Sequence, residues 1–162
     1  MSARLHLTRN NLSIPVREKI VALLNEQLAI LLDLQSQCRQ AHWNVRGRSF
    51  YSYHKLFENL ADLVGEHVDP TAERATALGG SANGTVRMVA ARSPLPEYPP
   101  KLDNDIEHVA AVMERFAEAS TLARNAVDAA TEAGDAGTAD LLTAISRSID
   151  QGLWFLEAHR PE

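Results

Sequence analysis

Residues 51–80 read YSYHKLFENLADLVGEHVDPTAERATALGG, and the fold turns on what this stretch can become. It reads as one helix from about Tyr51 to Leu78, stopped by Gly79-Gly80, where a glycine just past the last turn is favoured. Pro70 lies inside that span; it lacks an amide hydrogen and crowds the preceding turn, so a kink or a tolerated irregularity is expected there. His54 and Glu58 are four residues apart and share one helix face, as do Asp69 and Glu73. Glu58 and Asp69 are separated by eleven residues, close to three full turns, so all four side chains fall in one stripe. Imidazole with several carboxylates is a ligand set suited to Fe(II) or a similar divalent ion.

Distance limits how that stripe can work. At about 1.5 Å per residue, His54 and Glu73 lie roughly 28 Å apart along the helix. One helix cannot bring both pairs to a single ion, but two copies packed antiparallel can. The pairs are placed symmetrically about Leu63 and Val64. A twofold axis there sets His54 and Glu58 of one subunit opposite Glu73 and Asp69 of the partner subunit, which gives an isologous dimer with two equivalent sites. His42, at the end of the preceding helix, is placed to complete each site. The same spacing also suits a solvated helix face on which acid and histidine pairs only support the helix. Spacing alone leaves both readings open.

Working outward, apolar residues recur three and four apart from Ile14 to about Ala41, through Ile20, Leu23, Leu24, Leu28, Leu31, Leu32 and Leu34. That is the stripe of an amphipathic helix, with Ser13 as its cap and Pro15 in its first turn. His42 to Phe50, broken by Asn44 and Gly47, reads as a loop. Residues 80–100 hold Gly84, Pro94, Pro96, Pro99 and Pro100 and form a long crossover with room for a short helix after Thr85. Asp103 is expected to cap a third helix ending near Gly134, and Thr138 a fourth reaching about His159. No strand pattern competes. The fold class is all-α: a ferritin-like four-helix bundle with a long crossover between its second and third helices. Residues 1–12 have little periodicity and are expected to be a flexible tail ahead of a single domain, 13–162.

Forty-five per cent hydrophobic and 23 per cent charged residues are ordinary for a globular domain of 162 residues. The formal charge of −5 argues against a body built to coat DNA, and the tail adds only Arg4, His6 and Arg9. Cys38 is the only cysteine, so no disulfide can form within the chain, which fits a reducing compartment. The start lacks the apolar run of a signal peptide and no stretch is long enough to span a membrane, so a cytoplasmic protein, in contact with the nucleoid if it binds DNA, is expected.

His42-Trp43-Asn44-Val45-Arg46-Gly47, Phe50, His54, Phe57, Asp69, Ala72-Glu73-Arg74 and Leu78-Gly79-Gly80 together resemble the signature of the Dps proteins, the miniature ferritins. The crossover GTVRMVAARSPLPEYP and the C-terminal TADLLTAISRSIDQGLWFLE resemble the same family, so the similarity covers nearly the whole chain from residue 14. The resemblance implies a homododecameric shell that oxidises Fe(II), with hydrogen peroxide favoured over dioxygen, and stores Fe(III) mineral, protecting DNA. It implies di-iron ferroxidase centres shared between subunits, with His42, His54 and Glu58 from one and Asp69 and Glu73 of the partner subunit. The family usually has Asp where Glu58 stands, and the extra methylene shifts the weaker metal position or leaves Glu58 bound through water. Trp43 matches a tryptophan thought to intercept oxidising equivalents; an aromatic plug at the bundle end is the structural alternative. Asp135 and Asp140 match positions lining threefold iron pores, helix capping being the alternative.

Cys38 reads as a small core residue, Trp154 with Phe155 as packing, and His6, His67, His108 and His159 as structural or exposed. A nucleoid-compacting DNA-binding shell is the rival of another class. A larger 24-subunit ferritin is disfavoured, because such shells bind iron within one subunit's bundle.

Overall fold

The thirty-one residues Ile14–Asn44 form α1 in the computed structural model, which describes residues 5–159. Ser13 stands at its N-cap and Pro15 in its first turn, where a missing amide hydrogen costs nothing. Ile20, Leu24, Leu28, Leu31, Leu34 and Cys38 are each 2 % exposed or less and form its buried seam. Burying each large side chain contributes about 1.5–3 kcal/mol. The helix runs three residues past Ala41, so His42 and Trp43 sit in its last turn rather than in a loop. The cause is Val45, whose side chain is buried and whose N–H bonds the Ala41 carbonyl at 2.9 Å, holding the turn closed until the core is reached.

The single helix expected over 51–78 is two: α2, Phe50–Gly65, and α3, Val68–Ala77. The break at Glu66 and His67 has its origin at Pro70, which cannot donate to the Glu66 carbonyl and would crowd it. Restarting the helix at Val68 places the proline in a first turn, where it is tolerated. At the end of α3 the chain reverses through Gly79, whose φ of +87° suits a residue without Cβ.

A five-residue helix, α4 (Val86–Ala90), follows Thr85 in the crossover and has no buried residue. Side chains of the long helices hold the crossover in place. Asn25 donates to Ser81 O and accepts from Asn83 N–H, Gln37 donates to Pro96 O, and Ser93 donates to Asp33. The last two helices are α5 (Asp105–Glu132) and α6 (Ala136–Glu157). Their caps are Asn104 and Asp135, not Asp103 and Thr138. Asn104 accepts from Glu107 N–H while Glu107 accepts from Asp103 N–H, the residue before the cap, a variant of the capping box that fixes the start one residue later than expected. Thr138 is the donor to the Asp135 cap.

The four long segments α1, α2 with α3, α5 and α6 enclose Phe57, Phe116, Leu60, Leu142, Ile145 and Ile149. Gly152 lets α6 approach α5, since a Cβ there would overlap the ring of Phe116. No strand occurs among the described residues, and no helix among them is long and apolar enough to cross a membrane. Residues 5–12 form no helix; His6 N–H donates to Gly79 O at 2.6 Å, and Leu5 and Leu12 pack on the core. Arg4 lies outside the described residues.

Candidate metal centre

The short link between α1 and α2 sets His42 against His54 with their rings stacked, centroids 3.8 Å apart and planes 19° from parallel. Nδ1 of His42 lies 2.8 Å from the His54 backbone oxygen, and Nδ1 of His54 lies 2.8 Å from the His42 backbone oxygen. A carbonyl oxygen can only accept, so each Nδ1 carries the hydrogen. In the neutral rings both Nε2 atoms then keep their lone pairs, as a metal-binding histidine requires. Each residue thus fixes the tautomer of the other through its backbone. Both rings are half-buried, and Phe50 lies 5.1 Å from His54.

Glu58 follows one turn after His54 and is held by Lys55, Nζ to Oε2 at 2.7 Å. That hydrogen bond and the lysine charge keep the Glu58 carboxyl below the usual range, with smaller pulls from His42 and His54. Asp69 and Glu73 stand exposed on α3. Neither carboxylate has a hydrogen bond or ion pair among the described residues. Within one chain the described residues contain no group of three or more His, Cys, Asp or Glu side chains placed to hold a metal. The structure therefore joins His42 with His54, keeps Glu58 close by on Lys55, and leaves Asp69 and Glu73 apart on the other side of the α2–α3 break.

The remaining expected positions divide. Asp135 is 3 % exposed and caps α6, accepting from Thr138 N–H at 3.1 Å and Thr138 Oγ1 at 2.6 Å. Arg74 Nη2 reaches both its oxygens, at 2.7 and 3.0 Å. Its carboxylate is thus engaged in capping, whereas Asp140 is exposed on α6. Trp43 is 70 % exposed beside His42 and does not plug the bundle of the single subunit. Trp154 packs its ring 5.1 Å from that of Phe155, and 61 % of it stays exposed in the single subunit. Cys38 is fully buried, and burial pushes its thiol far up, as suits a core residue. His67 meets Ser148 at 2.7 Å, His159 meets the Phe155 carbonyl, and His108 meets Tyr98. Sequence reasoning missed Lys55, although its spacing of three from Glu58 was a readable signal.

The ferritin-like domain family matches residues 21–161. The chain is 40 % identical over 157 residues to the DNA protection during starvation protein of Agrobacterium fabrum, covering 97 % of each. It is 32 % identical to that of Brevibacillus brevis, covering 88 % of this chain and 95 % of the relative. Among solved structures it resembles DpsA14 from Streptomyces coelicolor, with a TM-score of 0.94 at 28 % identity over 100 % of this chain and 96 % of that one. DpsC from the same organism gives 0.92 at 29 % identity, over 98 % and 92 %.

Proposed function

Because the chain belongs to the Dps family of ferritin-like proteins, we propose that it oxidises Fe(II) and stores the Fe(III) product as mineral inside a homododecameric cytoplasmic shell. The observation that carries this reading is the reciprocal lock of His42 and His54, which leaves an Nε2 lone pair on each of two stacked, half-buried rings. The unpaired Asp69 and Glu73 of the partner subunit supply the charge that a ferric product needs, across a twofold axis.

Iron is the substrate at this site. Two ferrous ions give one electron each to hydrogen peroxide, whose O–O bond breaks to leave two hydroxide ions and no hydroxyl radical. Neutral imidazoles bind Fe(II) without opposing its loss of an electron, and the carboxylates favour the harder Fe(III). Glu58 contributes more weakly, drawn off by Lys55. Asp140 lines the route by which Fe(II) reaches the interior, its charge raising the local cation concentration. Consuming iron and peroxide together protects DNA from radical chemistry, in keeping with the name of the curated relatives. DNA binding itself is weak, because the chain is acidic.

Initial rates of Fe(II) oxidation with peroxide and with dioxygen, followed by sizing of the loaded particles, test the proposal. It expects rapid oxidation with peroxide, slower oxidation with dioxygen, and mineral-filled dodecamers. A protein that oxidises no faster than free iron in buffer would overturn it.

A further inference from the structure

On the flank of α1 away from His42, the phenol oxygen of Tyr98 lies 2.5 Å from Nδ1 of His108, a residue 4 % exposed at the start of α5. We propose that Tyr98 and His108 form a proton-coupled redox pair, which quenches an oxidising equivalent left at the iron centre with one electron from Tyr98 while its proton passes to His108. The inference rests on the iron-oxidising reading above.

A phenol gives up an electron readily only if its proton can leave with it. Tyr98 is half-buried against the core, so the proton needs an acceptor already in place. His108 is that acceptor. The phenol is the more acidic partner and donates to Nδ1, with the imidazole hydrogen on Nε2. Burial pushes the Tyr98 phenol up, and burial pushes the His108 imidazole down against the smaller opposing pull of Glu107 and Asp105. At rest, therefore, the proton stays on oxygen and Nδ1 stays unprotonated, accepting the phenol's hydrogen bond. Both residues line a cavity of about 360 Å³ with Gln40, Asn44, Arg46 and Lys101, through which the proton exchanges with solvent.

The pair is placed to serve the iron site. Gln40 and Asn44 flank His42 in α1, but two residues along a helix turn a side chain to the far flank. Tyr98 thus lies across α1 from His42, at least one helix diameter, roughly 10–12 Å, away.

When peroxide meets a single Fe(II), it yields Fe(III), hydroxide and hydroxyl radical. Tyr98 supplies one electron, reducing the radical to hydroxide; its O–H bond breaks, its proton sits on His108 Nδ1, and a neutral tyrosyl radical remains. The next Fe(II) returns an electron to Tyr98 and becomes Fe(III), and the proton goes back. Two Fe(II) are still consumed per peroxide.

The test has an arm without iron. Assembled metal-free protein is oxidised by flash-generated tris(bipyridine)ruthenium(III) and freeze-quenched for electron paramagnetic resonance. A tyrosyl signal is expected, lost in Tyr98→Phe, formed about a hundred-fold more slowly in His108→Asn, where the base is gone, and unchanged in Tyr51→Phe. A wild-type signal that survives Tyr98→Phe, or forms at full speed in His108→Asn, overturns the proposal. Should either variant misfold, 3-fluorotyrosine at position 98 must alter the hyperfine pattern, and an unaltered pattern overturns the assignment. The second arm uses substoichiometric Fe(II) with peroxide and a spin trap. Tyr98→Phe should oxidise iron at the wild-type rate yet release several-fold more hydroxyl radical. Absence of iron oxidation in every protein would sink the iron reading, while the ruthenium arm still decides the pair.

Discussion

Asp135→Ala separates a structural acid from a functional one. The carboxylate closes the first turn of α6 through Thr138 and binds the Arg74 guanidinium with both oxygens. Loss of an N-cap costs about 1 kcal/mol. Leaving a half-buried arginine without its charged partner costs about 1–3 kcal/mol more. A total of roughly 3 kcal/mol lowers the Tm of a domain this size by roughly 6–12 °C. Burial alone would push the Asp135 carboxyl up, but the Thr138 hydrogen bonds and Arg74 outweigh it and hold it below the usual range. Its folded pKa is therefore depressed, so the stabilisation is fully present above the unfolded value of about 3.9 and is lost as pH falls through the folded one. The gap between wild type and variant should be largest near neutral pH and shrink below about pH 4. Thermal melts at matched subunit concentration, across that pH range, are the assay. Asp140→Asn, on an exposed residue, should leave Tm unchanged and slow iron uptake. If Asp135→Ala melted like wild type at pH 7 and slowed iron uptake instead, the capping assignment would be wrong.

Three further outcomes are expected. Lys55→Gln should lower the Fe(II) concentration for half-maximal oxidation about two-fold, because an exposed ion pair competes only weakly for Glu58; Glu58→Asp should keep most activity, and a dead Glu58→Asp enzyme would show that this carboxylate matters more than argued. Gel shifts against plasmid should show little binding at about 150 mM salt, where surface charges are screened beyond roughly 8 Å; tight retention there would reveal a basic patch the acidic balance hides. Gly152→Val should cost about 1–3 kcal/mol by forcing α6 off Phe116, and an unchanged urea midpoint would refute the close approach.

The helices were legible because their apolar residues recur at helical spacing, and the crossover because prolines cluster there. Pro70 announced a disturbance, yet whether the chain would bend or break depended on what followed; His67 ends up against Ser148 on α6, a contact eighty-one residues away. The caps were misplaced because Asp103-Asn104 and Asp135–Thr138 each offer competing acceptors, and only the reach of Glu107 and Arg74 decides between them. At the candidate site the spacing of His54, Glu58, Asp69 and Glu73 carried the symmetry argument. The histidine lock could not be read in advance, because its acceptors are backbone oxygens that every residue possesses.

The central claim is that iron is held between subunits, and mixed shells test it most directly. His54→Ala and Glu73→Ala should each abolish fast peroxide-driven oxidation. At a twofold interface joining one of each, one site carries both lesions and the other carries neither. Random co-assembly in equal amounts should therefore restore roughly a quarter of the wild-type initial rate. No recovery in shells confirmed to be mixed dodecamers would place the whole site on a single subunit and contradict the account.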